Sequence, residues 1–135
     1  MQFRKEILNI MGIFSGMMGN ASEIDTKEIE SEVGPLLYDS EQITKAFKLI
    51  RDLIVFTNSR LILVDKQGIT GKKIEYHSIP FRSITHFAVE TAGHLDLDAE
   101  LKIWISGNSS PITKEFKKDK NIFEVQKALA NSIAR

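Results

Sequence analysis

The periodicity of hydrophobic and polar positions changes twice along the chain. In the first 35 residues, apolar side chains recur every three or four positions, a spacing typical of amphipathic helices. From Ile43 to Phe116 they form short runs or alternate with polar residues, which is typical of strands. After residue 120 the helical spacing returns. The pattern therefore predicts helices, then strands, then one final helix.

Two helices are predicted before the strands. Residues 3–18 carry an apolar stripe opposite a glycine-rich face, and the stripe comprises Phe3, Ile7, Ile10, Phe14 and Met17. Packing on the domain or on a neighbouring copy is the favoured use, because polar and glycine residues weaken the case for a signal peptide or an interfacial membrane helix. A second helix is expected from Asp25 to Gly34-Pro35, with Ile29 and Val33 buried.

About seven short strands are predicted between the helices. Their apolar cores are Ile43–Leu49, Leu53–Phe56, Leu61–Val64, Ile74–Tyr76, Phe87–Val89, Leu101–Ile105 and Ile112–Phe116. In the first strand, Ile43, Phe47 and Leu49 are expected on one face, because strand side chains alternate. Turns are predicted at Asn58-Ser59 and at 65–68. This spacing favours a sandwich or barrel over parallel strands that alternate with helices.

Single residues mark several of the predicted boundaries. Pro80 cannot donate to a sheet ladder, so it is expected at a strand end, an edge or a bulge. Gly68, Gly71 and Gly93 suit turns that need a positive φ. Asn121 is a favourable N-cap for the final helix.

The final helix carries one apolar stripe. The stripe comprises Ile122, Val125, Leu129 and Ile133, and Glu124 stands three residues after Asn121 in the capping-box position. One amphipathic helix after seven strands is expected to close the open end of a strongly bent sheet and to bury its stripe there.

Composition narrows the range of functions. The 135 residues include no cysteine, which excludes thiol nucleophiles, thiolate zinc sites and disulfides and fits a cytoplasmic protein. Lys+Arg and Asp+Glu both number 18, so the chain lacks the basic footprint of a nucleic-acid-binding protein. Acidic residues concentrate in 20–41 and lysines in 114–120. These patches could steer self-association, although two solvated faces are the simpler explanation.

No catalytic, cofactor-binding or metal-ligating residue is predicted. The segment 68–72 has two residues between its glycines where a phosphate loop needs four. The acidic run 94–100 lacks the glycine and glutamate of a calcium loop. His77, His86 and His94 lack the spacing of a helical metal pair, and Ser78 and Ser83 lie in no nucleophile-elbow sequence. The chain is therefore expected not to be an enzyme.

Several ordered blocks resemble a bacterial pleckstrin-homology (PH) family over residues 36–134. The blocks are Arg51–Gly68, Gly71–Lys73, Ser78–Ile84, Glu90–Gly93 and Leu97–Trp104. The resemblance implies a mainly β, PH-like fold: a bent seven-stranded antiparallel sheet or open barrel capped by a C-terminal helix. Residues 1–35 would then be an N-terminal helical extension and 36–135 the PH-like domain. It also implies a binding module that assembles into homo-oligomeric rings.

The leading functional hypothesis is a non-enzymatic scaffold that self-assembles, and that could also bind an unidentified protein. Charged residues at strand ends can set a register between copies, or can pair within their own hairpin. The candidates for the oligomer interface are Arg51, Asp52, Arg60, Asp65 and Glu90.

The alternative hypothesis is a peripheral membrane module that binds acidic lipid, with the N-terminal helix as an apolar anchor. The lipid-binding candidates are Lys48, Arg51, Lys66, Lys72 and Lys73. It is less favoured, because these form two separated groups in a neutral chain and a phosphate headgroup needs several converging donors. A third hypothesis, a small-ligand carrier that uses the mouth of the sheet, has no residue that selects a ligand.

Overall fold

The computed structural model of the protein describes residues 26–91, 98–116 and 122–134. The predicted helix at 3–18 and the residues Asp25, Gly93 and Asn121 lie outside the described residues. The helices are α1 (Thr26–Val33) and α2 (Ile122–Ile133), with short 3₁₀ turns at Gly34–Leu36 and Phe81–Ser83. The strands are β1 (Ile43–Leu49), β2 (Asp52–Thr57), β3 (Arg60–Gln67), β4 (Lys73–Pro80), β5 (Ile84–Thr91), β6 (Ala99–Ile105) and β7 (Ile112–Phe116).

The seven strands of the described residues are divided between two antiparallel sheets. One sheet has the order β1-β2-β3-β4 and the other has the order β5-β6-β7. The chain forms two compact units, with the division falling within β4 between His77 and Ser78. Pro80 is the last residue of β4, as predicted from its missing N–H donor. None of the described helices is long and apolar enough to span a membrane.

In the first unit, the central strands β2 and β3 are buried on both faces. On one face, Leu53, Val55, Ile62 and Val64 form a cluster with residues of β1 and α1. The residues that α1 and β1 contribute are Ile29, Val33, Ile43 and Ala46. The burial of Ile29 and Val33, both 0% exposed, confirms the predicted inner side of the second helix.

The opposite face of this sheet is rich in large apolar side chains. Phe47, Ile54, Phe56, Leu61 and Leu63 are each at most 2% exposed. The rings of Phe47 and Phe56 meet edge to face, with centroids 6.0 Å apart. Near-continuous apolar runs at β2 and β3, rather than alternation, follow from burial on both faces.

The predicted face of β1 is wrong for one residue. The pairing of β1 with β2 shifts between Ile43 and Lys45: the register moves by two residues along β1 but by only one residue along β2. Such a bulge reverses the side-chain alternation. Ile43 therefore joins Ala46 in the cluster with α1, whereas Phe47 pairs with Ile54 on the opposite face.

The predicted turn at residues 65–68 lies further along the chain. Strand β3 continues to Gln67, past the end of its apolar run, because the carboxylate of Asp52 accepts a hydrogen bond from the backbone N–H of Lys66 at 3.0 Å. The turn is formed by Gly68–Gly71. Both glycines have positive φ, at 76° and 67°, which confirms their predicted conformation.

In the second unit, α2 contacts β5, β6 and the turn Phe81–Ser83. Ile122, Val125 and Leu129 of its stripe are buried, and Ile133 at the last turn is half-buried. The stripe predicted from helical spacing thus lies inward along most of the helix.

Candidate functional site

Glu41 is the buried charge around which the first unit organises its polar contacts. Its side chain is fully buried. Arg60 donates to both carboxylate oxygens, from Nε at 2.8 Å and from Nη2 at 2.8 Å. Thr57 Oγ1 donates at 2.6 Å, and Ser59 Oγ and the backbone N–H of Tyr38 complete the set. The segment before β1 is thereby fastened to the β2–β3 hairpin.

The hydrogen bonds to Glu41 decide its protonation state. Burial alone would raise the pKa of this carboxyl, but hydrogen bonds from Arg60, Thr57 and the backbone of Tyr38 outweigh it and lower the pKa below 4.5. The same contact raises the pKa of Arg60. Every oxygen of Glu41 has donors, so this carboxylate is an anchor of the fold and lacks the raised pKa of a general acid.

The β1–β2 and β3–β4 turns lie side by side and form the first exposed surface, which we call the tip surface. It comprises Ile50, Arg51, Ile69, Lys72 and Lys73. Arg51 links the two turns, because its Nη1 donates to the carbonyl oxygen of Gly68 at 2.8 Å. The side chains of Arg51, Lys72 and Lys73 are exposed, so three positive charges lie on this surface.

Two isoleucines of the tip surface face solvent. Ile50 is 82% exposed and Ile69 is fully exposed. Ile50 also has a φ of 47°, which a β-branched residue rarely adopts. Exposed aliphatic side chains beside basic residues are typical of contact surfaces rather than of the fold's own core.

The second exposed surface lies on one face of the sheet β5-β6-β7, and we call it the aromatic face. It comprises His86, Glu90, Glu100, Lys102, Trp104 and Glu115, which the strand register places on the same side. His86 lies opposite Trp104, and their rings stack at 4.4 Å with an interplanar angle of 14°. Leu101 and Ile103 lie on the other face and are 0% exposed.

A row of three glutamates crosses the aromatic face. Glu90 lies opposite Glu100, and Glu100 lies opposite Glu115, on three successive strands. Lys102 Nζ is 3.1 Å from Glu90 and 3.6 Å from Glu100. The hydrogen bond to Glu90 raises the pKa of Lys102. Like charges directly opposite each other are destabilising, and one lysine offsets only part of this repulsion.

No group of three His, Asp or Glu side chains is arranged to hold a metal ion in the part of the chain that the structure describes. The candidate site consists of the two exposed surfaces, one basic and aliphatic, the other acidic and aromatic.

Comparison with known proteins identifies the family. A family model described as a bacterial PH domain matches residues 12–133. The chain belongs to the bacterial PH domain family. The resemblance deduced from the sequence blocks is thereby confirmed.

Two curated relatives of this bacterial PH domain come from Bacillus subtilis (strain 168). The uncharacterized protein YjqA is 58% identical over 121 residues, which cover 89% of this chain and 97% of YjqA. The uncharacterized protein YozO is 34% identical over 123 residues, which cover 91% of this chain and 98% of YozO. Neither name describes an enzyme.

Solved structures support the same fold. A pleckstrin homology domain from Shewanella amazonensis SB2B superposes with a TM-score of 0.78 at 52% identity, over 88% of this chain and 96% of its own. A DUF1696 family protein with a pleckstrin-homology domain from Shewanella loihica PV-4 gives 0.72 at 54% identity, over 84% and 97%. The predicted mainly β, PH-like fold with its C-terminal helix is confirmed.

All five predicted interface residues have partners inside their own chain, and three of them lie outside the two exposed surfaces. Arg60 binds Glu41, as described above. Asp52 accepts from the backbone of Lys66, and the side-chain amide of Gln67 donates to Asp65 at 3.3 Å. Of these three contacts, that of Asp52 crosses the β2–β3 hairpin, which is the other explanation that the sequence offered for these charges. Asp65 is bound within its own strand, and Arg60 is bound by a residue that precedes β1.

The other two interface candidates lie on the exposed surfaces. Arg51 belongs to the tip surface, and Glu90 belongs to the aromatic face with its side chain 63% exposed. A role for any of the five between copies stays a prediction, as does the division of the chain at residues 35 and 36.

The lipid-binding candidates are only partly brought together. Arg51, Lys72 and Lys73 share the tip surface. Lys66 forms an ion pair with Glu32 at 3.0 Å, and Lys48 is half-buried on β1. The structure thus groups three of the five.

Sequence reasoning missed the apolar members of both surfaces. Ile50 and Ile69 stand at positions where turns usually carry polar residues or glycine, which was an available signal. The stacking of His86 on Trp104 depends on strand register across 18 residues of sequence, so no local pattern could reveal it.

Proposed function

We propose that this bacterial PH domain is a non-enzymatic scaffold that self-assembles head to tail into a homo-oligomer, with a closed ring as the expected form. The observation that carries the proposal is the exposure of two edge strands. β4 ends one sheet and β5 ends the other, and each has eight residues of which a single one is buried. Edge strands carry unpaired backbone groups that pair readily with another chain.

Two different edges favour a head-to-tail contact. When β4 of one copy pairs with β5 of the next, the first copy keeps its β5 edge free and the second copy keeps its β4 edge free. Such a contact closes into a ring if its rotation permits.

Light scattering at micromolar concentration tests the proposal. We expect a mass several times the 15.3 kDa of one chain. Tyr76→Lys places a charge on β4, at a side chain 37% exposed, and is expected to shift the mass towards the monomer.

Tyr38→Lys is the matched control, because Tyr38 is 48% exposed and lies before β1 rather than on either of the two edge strands. It is expected to leave the mass unchanged. A wild-type protein that remains at the mass of one chain at every concentration contradicts the proposal.

The second candidate function, binding to acidic membranes, is favoured by the tip surface. Exposed aliphatic side chains beside basic residues suit an interface between headgroups and acyl chains. The exposed aliphatic side chains are those of Ile50 and Ile69. The basic residues beside them are Arg51, Lys72 and Lys73.

Co-sedimentation with phosphatidylserine vesicles and with phosphatidylcholine vesicles tests this candidate. Binding that requires phosphatidylserine and is lost in Lys72→Glu/Lys73→Glu supports it. The control variant Arg82→Glu/Lys127→Glu reverses two other exposed charges. Equal sedimentation with both vesicle types, or none, excludes it.

A further inference from the structure

We propose that, in the self-assembled protein, the tip surface of one copy docks on the aromatic face of the next. This inference rests on the proposed self-assembly and names the side chains that make the contact. The two surfaces adjoin the two edges described above, because the tip surface includes the start of β4 and the aromatic face includes β5. One head-to-tail contact would therefore use edge and surface together.

The apolar parts of the two surfaces suit each other. Ile50 and Ile69 project from the turns at 82% and full exposure and have no apolar neighbour that covers them. The stacked rings of His86 and Trp104 form an aromatic pair that the chain itself leaves partly exposed. Tryptophan and arginine are enriched where interfaces gain most of their binding energy, and cations bind well over a tryptophan ring.

The charges of the two surfaces are opposite. Arg51, Lys72 and Lys73 give the tip surface three positive charges. The aromatic face has three glutamates and one lysine, and the charges of these four side chains sum to −2. Approach of a basic surface relieves the repulsion within the glutamate row, and complementary potentials also steer encounter and fix orientation.

A second copy of the chain is the partner that fits both surfaces at once. Each copy carries one basic and one acidic surface, which makes the contact heterologous and lets it propagate.

Charge reversal on each surface tests the contact. The tip variant Lys72→Glu/Lys73→Glu carries acidic residues on both surfaces. The face variant Glu90→Lys/Glu115→Lys carries basic residues on both. Each variant alone is expected to raise the concentration at which half of the chains are assembled by about tenfold or more, because like charges then meet at the contact.

Mixing the two variants restores complementarity. The acidic tips of one variant then meet the basic face of the other, and the unaltered tips of the second meet the unaltered face of the first. An equimolar mixture is expected to assemble near the wild-type concentration, with the two variants alternating along the assembly. Light scattering gives the mass, and native mass spectrometry gives the composition.

Two controls reverse the same number of charges elsewhere. Arg82→Glu/Lys127→Glu matches the tip variant, and Glu30→Lys/Glu124→Lys matches the face variant; all four residues are exposed. Both controls are expected to assemble like the wild type. Circular dichroism and thermal unfolding establish that every variant is folded.

The outcomes separate this inference from the proposed function. A monomeric wild type overturns self-assembly, and this inference with it. A wild type that assembles while the tip and face variants assemble equally well overturns the inference alone. Weakened variants that the mixture fails to rescue also overturn it. A tip variant that loses binding to phosphatidylserine vesicles but keeps its mass assigns the tip surface to membranes instead.

Discussion

At the scale of single residues, Glu41 carries a fully buried negative charge. The burial of this carboxylate against the β2–β3 hairpin is tolerated because Arg60, Thr57 and Ser59 donate to it. Removing one partner from such a buried set leaves the rest desolvated and unpaired, which costs more than the pair contributes as a whole.

We expect Glu41→Gln to lower the free energy of unfolding at pH 7 by about 2–4 kcal/mol, because Arg60 then loses its counter-charge. Chemical denaturation measures the change. Glu30→Gln on α1, where the side chain is exposed, is the control and should stay within about 0.5 kcal/mol of the wild type. Equal losses in the two variants would contradict the role of Glu41.

The pH dependence of stability follows from the direction of the Glu41 shift. The pKa of Glu41 in the folded protein lies below the ordinary value of 4.5, so the unfolded chain takes up this proton first as the pH falls. The contribution is complete above pH 4.5 and is lost as the pH falls through the folded pKa. Denaturation midpoints between about pH 5 and pH 3 should therefore fall more steeply for the wild type than for Glu41→Gln.

Ile50 is the residue whose backbone is strained. A positive φ costs a non-glycine residue about 1–2 kcal/mol, and asparagine tolerates this conformation better than isoleucine. We expect Ile50→Asn to raise the free energy of unfolding by about 1 kcal/mol, because little burial is lost at this exposed position. Ile69→Asn in the neighbouring turn is the control for the same substitution at an exposed isoleucine without a positive φ, and it is expected to give no such increase. If the two variants have equal stability, Ile50 is not strained.

Residues differ in how far the sequence reveals them. Pro80, Gly68 and Gly71 were predictable because their covalent structure restricts or frees the backbone. The pairing of Glu41 with Arg60 was not, since it joins residues 19 apart through the geometry of a hairpin.

At the scale of elements, the stripe of α2 was predictable from helical spacing alone. Val125 and Leu129 are 0% exposed, whereas Phe123 on the same helix is 62% exposed. Burial is therefore decided by position on the helix and not by side-chain size.

We expect Leu129→Ala to lower the free energy of unfolding by about 2–5 kcal/mol, because it leaves a cavity under the helix. Phe123→Ala removes a larger side chain from the exposed side and should change the free energy by less than about 1 kcal/mol. Thermal or chemical denaturation of both variants tests the packing of α2. A larger loss of unfolding free energy for Phe123→Ala than for Leu129→Ala would mean that the opposite side of α2 is the buried one.

The strands show why element bounds were harder to predict. The bulge in β1 moves Ile43 to the other face, although its alternation with Phe47 and Leu49 was regular in the sequence. Strand β3 extends three residues past Val64 through a backbone contact with Asp52. Both depend on the partner strand, which a single segment of sequence does not contain.

At the scale of the whole molecule, the order and spacing of the elements predicted a set of strands followed by one closing helix, and the resemblance of the sequence blocks implied the PH-like fold that the family comparison confirms. The contact surfaces were not predictable to the same degree. Arg51, Lys72 and Lys73 could be named as a basic group, but the opposing aromatic face exists only once β5, β6 and β7 are in register.

The mass of the intact assembly tests the central claim most directly. Light scattering of the full chain at micromolar concentration should give the mass of several chains, each of 15.3 kDa. That mass should decrease as salt screens the contact between the tip surface and the aromatic face. A mass of one chain at every protein and salt concentration would contradict self-assembly and, with it, the head-to-tail contact.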